Sequence, residues 1–148
     1  MAKRVIHAVA GAGKTYHICH AIDPAKRNLI LAFTHENVFN IQRELIDAFG
    51  AMPELTTIST FDSFVYHNLI LPYEPSIGAH FNCEQFVGKG ITTIDPPPQR
   101  VKSSGGNMVP NVRYFAKDKL PHYVDRGLRY YCATLSELAL QVRCGRET

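Results

Sequence analysis

No apolar stretch in this 148-residue chain approaches the roughly 20 residues that a membrane-spanning helix needs. The four cysteines, Cys19, Cys83, Cys132 and Cys144, show no Cys-x-x-Cys spacing. That argues against a zinc ribbon or a disulfide framework and suits a reducing compartment. No internal repeat is visible, which removes solenoids and propellers. The opening "MAKRVIHAVAGAG" has the basic start and apolar run of a signal peptide, but His7 interrupts the run and Gly-Lys-Thr follows at once. A soluble, cytoplasmic protein without a membrane partner is therefore expected.

The size suits one domain with a core of its own. The net charge of +3 is unevenly spread. Residues 1–98 hold seven Lys/Arg against nine Asp/Glu, a balance of −2; residues 99–148 hold nine against four, a balance of +5. A basic last third is open to nucleic acid or to plain solvation.

Strand-like and helix-like stretches alternate over the first seventy residues. "RVIHAVA" (4–10) and "NLILAF" (28–33) read as buried strands, and "ELTTIST" (54–60) is a third strand candidate. A helix is expected after "GAGKT" (11–15), running to about Ala21 and stopped by Asp23-Pro24. A second starts behind Thr34 as its cap, carries Val38, Ile41, Leu45 and Phe49 on one face, and ends at Gly50. A third covers "FDSFVYHNLIL" (61–71) before Pro72. Such alternation predicts βαβ units and a parallel sheet. Residues 1–72 thus form an α/β core, and residues 73–124 an irregular insertion with a Pro/Gly-rich loop at 95–111. Residues 125–148 read as an amphipathic helix with Leu128, Tyr131, Leu135, Leu138 and Val142 in one stripe.

The chemistry concentrates in "AVAGAGKT", Ala8, Val9, Ala10, Gly11, Ala12, Gly13, Lys14 and Thr15, which fits [AG]-x-x-x-x-G-K-[ST]. Glycines let successive N–H groups converge on phosphate oxygens. Lys14 is suited to the β- and γ-phosphates of ATP, and the Thr15 hydroxyl to Mg2+. This is a nucleotide-binding pattern, and it does not by itself choose among kinases, GTPases, transporters and helicases.

Two further stretches narrow the choice. "LILAFTHENVFNIQREL" (29–45) and "ISTFDSF" (58–64), behind "AGAGKT" at these distances, resemble motifs Ia and Ic of the UvrD/Rep-like superfamily 1 helicases. Phe33 and Thr34 match the Phe-Thr of motif Ia, with His35 in place of Asn. Thr60, Phe61 and Ser63 match motif Ic, with Asp62 in place of His. The resemblance covers residues 4–71. It implies a RecA-like P-loop NTPase fold, ATP and Mg2+ as ligands, and a single-strand track lined by Phe33, Thr34, His35, Thr60, Phe61 and Ser63. Aromatic rings can stack on bases and hydroxyls can donate to phosphates; equally, Phe33 and Phe61 could be core residues at element ends. An aspartate at 62 repels phosphate.

The family's motor also needs an Asp-Glu pair closing a strand and arginines from a second RecA-like domain; no Asp-Glu dipeptide occurs here. The chain therefore reads as the N-terminal part of the first motor domain, ending before the acidic pair. It is expected to bind ATP and single-stranded DNA or RNA without hydrolysing or unwinding alone, and a partner protein could supply the missing half. Asp95, closing "GITTIDP" (90–96), is the one stand-in carboxylate for Mg2+. Other readings stay open: a small metabolite kinase with Arg126, Arg129 and Arg143 as a lid, or an interaction module docking through the 128–142 stripe. "NVRYFAKDKLPHYVDRGLRYY" (111–131) interleaves basic and aromatic residues, as a nucleic-acid surface does. His17 and His20 share a helix face without a third metal ligand, so no zinc is expected.

Overall fold

The computed structural model describes residues 5–96, 100–102, 108–110 and 117–144, with the backbone alone at 100–102, 108–110 and 142–144. It is a mixed α/β structure with short parallel strands, and the chain divides into two compact units, Met1–Phe61 and Asp62–Thr148.

The first unit is built on one βαβ turn. Strand β1 (Asn28–Ala32) pairs in parallel with β2 (Thr56–Thr60), in the register Asn28↔Thr56 through Ala32↔Thr60. Between them runs α2 (His35–Phe49), and ahead of them α1 (Lys14–His20). The expected boundaries of α2 are met by their expected causes. Thr34, extended at φ −126°, accepts a hydrogen bond on Oγ1 from the Asn37 amide at 3.2 Å. Gly50, at φ 77°, donates its amide to the Ile46 carbonyl at 2.8 Å. A left-handed residue costs a glycine little, which is why the helix stops there. The core is small: Cys19, Ile30, Ala32, Ile41 and Leu45 are buried, with Ile22, Val38, Met52 and Ile58 around them. The alternate residues of β1, Leu29 and Leu31, point the other way and stay exposed.

The strand expected over 4–10 is not formed among its described residues. Residues 5–9 join no ladder, and Val5 and Val9 are 78% and 79% exposed. A β-branched run satisfies its backbone only beside a neighbouring strand, and neither β1 nor β2 pairs with it.

The expected helix over 61–71 splits. It runs as α3 (Phe61–Val65), a π-helical turn (Tyr66–Ile70) and a 3-10 turn (Leu71–Tyr73), then continues as α4 (Glu74–His80). Pro72 has no N–H to return to the preceding turn, and the Leu71 amide reaches back five residues to the Tyr66 carbonyl instead. Further on, β3 (Ile91–Thr92) pairs in parallel with β6 (Tyr130–Tyr131), and β4 (Arg100–Lys102) pairs antiparallel with β5 (Met108–Pro110). The 95–111 stretch, expected as irregular, therefore contains a strand pair; its residues 97–99 and 103–107 lie outside the described set.

The last helix, α5 (Cys132–Cys144), begins seven residues later than the stripe implies. Asp125 starts a turn closed by the Leu128 amide at 3.0 Å, and Leu128 itself adopts φ 63°. Asp125 also accepts the Arg129 amide and Nε, each at 2.9 Å. These bonds hold 125–129 as a turn, and Tyr130 and Tyr131 leave it as a strand. Leu135 and Leu138 do face inward, each 1% exposed, within a core of Val65, Tyr66, Ile70, Ile77, Phe86, Tyr123, Val124 and Tyr130. Val142 has no described side chain.

Candidate nucleotide and nucleic-acid site

The loop ahead of α1 is shaped by its glycines. The Ala12 amide closes a turn on the Val9 carbonyl at 3.3 Å, with Gly11 in the third position at φ 78°. A type II turn demands positive φ at that place. Gly13 also sits in the left-handed region, φ 70° and ψ 26°, while Ala10 and Ala12 do not. The sign of φ thus alternates from Ala10 to Gly13, the backbone pattern that turns successive N–H groups toward one concavity. A Cβ built on Gly11 or Gly13 would meet no heavy atom within 4 Å, so the space in front of the loop is open.

Lys14 bends back over this loop. Its Nζ donates to the carbonyls of Val9 at 2.7 Å and Ala8 at 3.2 Å. The ammonium is therefore held across the turn by two exposed bonds that a stronger anionic acceptor can replace. Thr15 follows in the first turn of the helix, exposed like the rest of residues 8–15. The residues present fit a polyphosphate: an open loop, alternating φ and a cation in reach.

A second set of groups stands where the two parallel strands end. Phe33 follows β1, and Phe61 follows β2. Phe33 is 88% exposed and Phe61 38%, with ring centroids 6.5 Å apart and planes tilted by 38°. The core reading of Phe33 does not hold. Thr34 and His35 are exposed beside it, and the Thr34 hydroxyl, already accepting from Asn37, keeps its proton for a further acceptor. Thr60 is buried, 8% exposed, so its hydroxyl is not presented to solvent.

Ser63 belongs to the second unit, half-buried, with Oγ 3.4 Å from His67 Nδ1. The Asp62 side chain hydrogen-bonds the Cys132 thiol; burial first, then this carboxylate, pushes the thiol up. Asp62 thus has a partner within its own unit.

The remaining expectations are corrected in several places. Asp95 is exposed three residues beyond β3, not at a strand end. Of the 111–131 stretch, Tyr123, Tyr130 and Tyr131 are buried at 1%, 0% and 4% exposure. Lys117 pairs with Glu137, and Arg129 with Asp125 at 2.7 Å. Burial, then Glu137, pushes the Tyr123 hydroxyl up to about 12. A packed core claims the aromatics that a nucleic-acid surface needs; residues 111–116 lie outside the described set. The kinase lid loses Arg129 to its ion pair, and Arg143 has no described side chain. The docking stripe is spent inside the second unit through Leu135 and Leu138. Cys19 is fully buried with its thiol 3.8 Å from the Ile41 carbonyl, and His20 stacks on Tyr16 with centroids 3.8 Å apart.

Among the described residues no group of three or more His, Cys, Asp and Glu could hold a metal ion, and no helix is long and apolar enough to cross a membrane. Sequence reading missed the Lys14 carbonyl bonds, the Tyr16–His20 stack and the Asp62–Cys132 contact; none has a signature at fixed spacing. The chain matches no family model, no curated protein and no solved structure.

Proposed function

We propose that this chain binds Mg-ATP at residues 8–15 and single-stranded nucleic acid, DNA or RNA, at the strand ends of its first unit. On this reading it corresponds to the N-terminal part of the first RecA-like domain of a UvrD-like helicase. The observation that carries the nucleotide half is the Lys14 ammonium lying on the Ala8 and Val9 carbonyls, above a loop whose φ signs alternate. Loop amides and Lys14 would bind phosphate oxygens, and the Thr15 hydroxyl would help to hold Mg2+. Bound Mg-ATP would supply the phosphoryl group and its charge neutralisation; the chain's own residues hold and orient it.

The nucleic-acid half rests on Phe33, Thr34, His35 and Phe61 at the carboxyl ends of parallel strands, where open α/β sheets take their ligands. Thr60 and Ser63 are assigned to holding the strand end and the start of α3 rather than to contact. Turnover needs a carboxylate to polarise water and arginines to stabilise the transferring phosphoryl group. No carboxylate of the first unit's described residues belongs to the loop or to either strand end, so binding without turnover is the expected behaviour. Phosphate release from Mg-ATP, with and without single-stranded DNA and beside Lys14→Ala, tests this. No release with retained ATP binding supports the proposal; DNA-stimulated release lost in the variant overturns the claim that the chain does not hydrolyse alone.

A further inference from the structure

We propose that the free edge of β1 is a dimerisation surface, where two copies of this chain join antiparallel in the order β2-β1-β1-β2. The inference is independent of the nucleotide and nucleic-acid readings above. Parallel pairing uses the backbone groups of every second residue of a strand. The Asn28 amide donates to the Leu55 carbonyl at 2.9 Å, on the β2 side. Asn28, Ile30 and Ala32 therefore turn their N–H and C=O groups toward β2, and Leu29 and Leu31 turn theirs away from it. Among the described residues no further strand takes these groups up, since the sheet consists of β1 and β2.

Exposed edges are normally blunted by a lysine, a proline or a bulge. The five residues of β1 hold no charge and no proline, and the register with β2 runs unbroken. Its outer face is apolar, with Leu29 and Leu31 both exposed. On β2 the partners of these leucines are Thr57 and Ser59, so the apolar half of the sheet is the half at the β1 edge.

Self-complementarity selects a second copy as the occupant. A two-fold axis at Ile30 sets Leu29 against the partner's Leu31 and Leu31 against the partner's Leu29. Both residues face the edge, so each pair can exchange two hydrogen bonds, as an antiparallel ladder requires. Arg27 and Phe33 flank the strand and share the parity of the two leucines. The same register sets Arg27 against the partner's Phe33, and symmetry makes that contact twice. Arg27 is exposed with no ion pair among the described residues, and Phe33 is 88% exposed. A guanidinium and an aromatic face attract each other. Glu36, in the first turn of α2, extends the match: the basic start of each strand, Lys26 and Arg27, meets the acidic end of its partner. Charge and apolar surface thus fit their own copies. A five-residue edge falls short of the roughly 1,200 Å² of a stable interface, so the association is expected to be weak and concentration-dependent. Phe33 also serves the nucleic-acid reading, and the dimer is therefore measured without nucleic acid.

Sedimentation equilibrium of the full chain over roughly a hundredfold range of concentration should show a monomer passing into a dimer. Hydrogen exchange over the same range carries the signature of this edge. The Leu29 and Leu31 amides should gain protection as concentration rises, while the Ile30 amide, turned toward β2, keeps the protection it has in the monomer. Leu31→Lys changes an exposed side chain and should raise the dimer dissociation constant at least about tenfold. Arg27→Glu should raise it roughly 5- to 30-fold through the two lost cation–ring contacts, and adding Phe33→Lys should restore the dimer by pairing opposite charges. A chain that stays monomeric over the whole range overturns the proposal. So does a dimer whose Leu29 and Leu31 amides exchange as fast as in the monomer. The exchange comparison needs no variant, so a substitution that fails to fold does not blur the result.

Discussion

The two units of this molecule spend their apolar residues in different ways. The first buries a thin layer without rings, Cys19, Ile30, Ala32, Ile41 and Leu45, on one face of a two-stranded sheet. It leaves Leu29, Leu31 and Phe33 exposed, along with the whole loop of residues 8–15. The second packs rings: Tyr66, Phe86, Tyr123 and Tyr130 meet within one core. Their polar ends are met as well. Tyr130 donates to Glu74 Oε1 at 3.1 Å, the Gly88 amide donates to the same oxygen at 3.0 Å, and Tyr123 donates to the Lys117 carbonyl at 3.1 Å. The motif-bearing unit is thus the lightly packed one, while the unit without a recognisable motif is densely packed. Open backbone and uncovered rings suit ligands, and a satisfied core suits stability.

The largest expected effect lies in the dense unit. Leu138→Ala removes a side chain that is 1% exposed and should cost roughly 2–5 kcal/mol, the range for cavities that collapse partly. Hydrogen exchange of the α5 amides measures it; a loss below 1 kcal/mol would show that this core is looser than its burial indicates. Next comes Lys14→Ala in the open unit. Charge-assisted hydrogen bonds are worth about 1.5–3 kcal/mol, so Mg-ATP affinity should fall roughly 10- to 100-fold with the urea midpoint unchanged. Thr34→Ala is smaller, about 1 kcal/mol from the lost helix cap, and Thr34→Ser should restore most of it. Exchange protection of the first α2 amides reads that change.

pH separates the units further. Burial raises the hydroxyls of Tyr66, Tyr123, Tyr130 and Tyr131, all in the second unit. A raised folded value means stability that is full below the unfolded tyrosine value of about 10 and lost as pH climbs beyond it. The first unit's one tyrosine, Tyr16, is exposed, so alkaline loss of protection should concentrate on α5 and the 117–131 segment. On the acid side, Lys117, with lesser help from His122, holds Glu137 down, and the Arg129 amide with its guanidinium holds Asp125 down. Depressed carboxylates stabilise above the unfolded value and lose that contribution as pH falls through the folded one. The loss of stability as pH falls below the unfolded carboxylate value of about 4 should therefore flatten in a Glu137→Gln, Asp125→Asn variant. An unchanged slope would remove these pairs from the account.

Legibility followed locality. Helix α2 could be read to the residue because cap, period and stop are all written within sixteen residues of one another: Thr34, the 38-41-45-49 spacing and Gly50. The parallel pair β1–β2 was legible for a related reason, since an apolar run precedes that helix and a Thr/Ile-rich run follows it. Residues 4–10 carry the same composition, yet a strand exists only with its neighbour, and composition does not supply one. The 125–131 stretch failed differently. Leu128 and Tyr131 sit at helical spacing with Leu135 and Leu138, and this coincidence hid a turn whose signal was Asp125 with Gly127. The strand pair β4–β5 was also written locally, as two short runs around Gly105-Gly106, and was obscured by the prolines before it. Of the candidate site, the loop was legible as a motif, because its glycines and lysine act at fixed spacing. Which of Phe33, Thr60, Phe61 and Ser63 face solvent was not, because exposure depends on packing that no short pattern records.

Whether the loop of residues 8–15 holds a nucleotide decides the function proposed for this chain. The direct measurement is calorimetric titration of the purified chain with Mg-ATP, repeated with Lys14→Ala and with AMP in place of ATP. Saturable binding with one site, weakened at least tenfold by the substitution and absent for AMP, is the predicted result. No heat from Mg-ATP, or equal affinity in the variant, would contradict it.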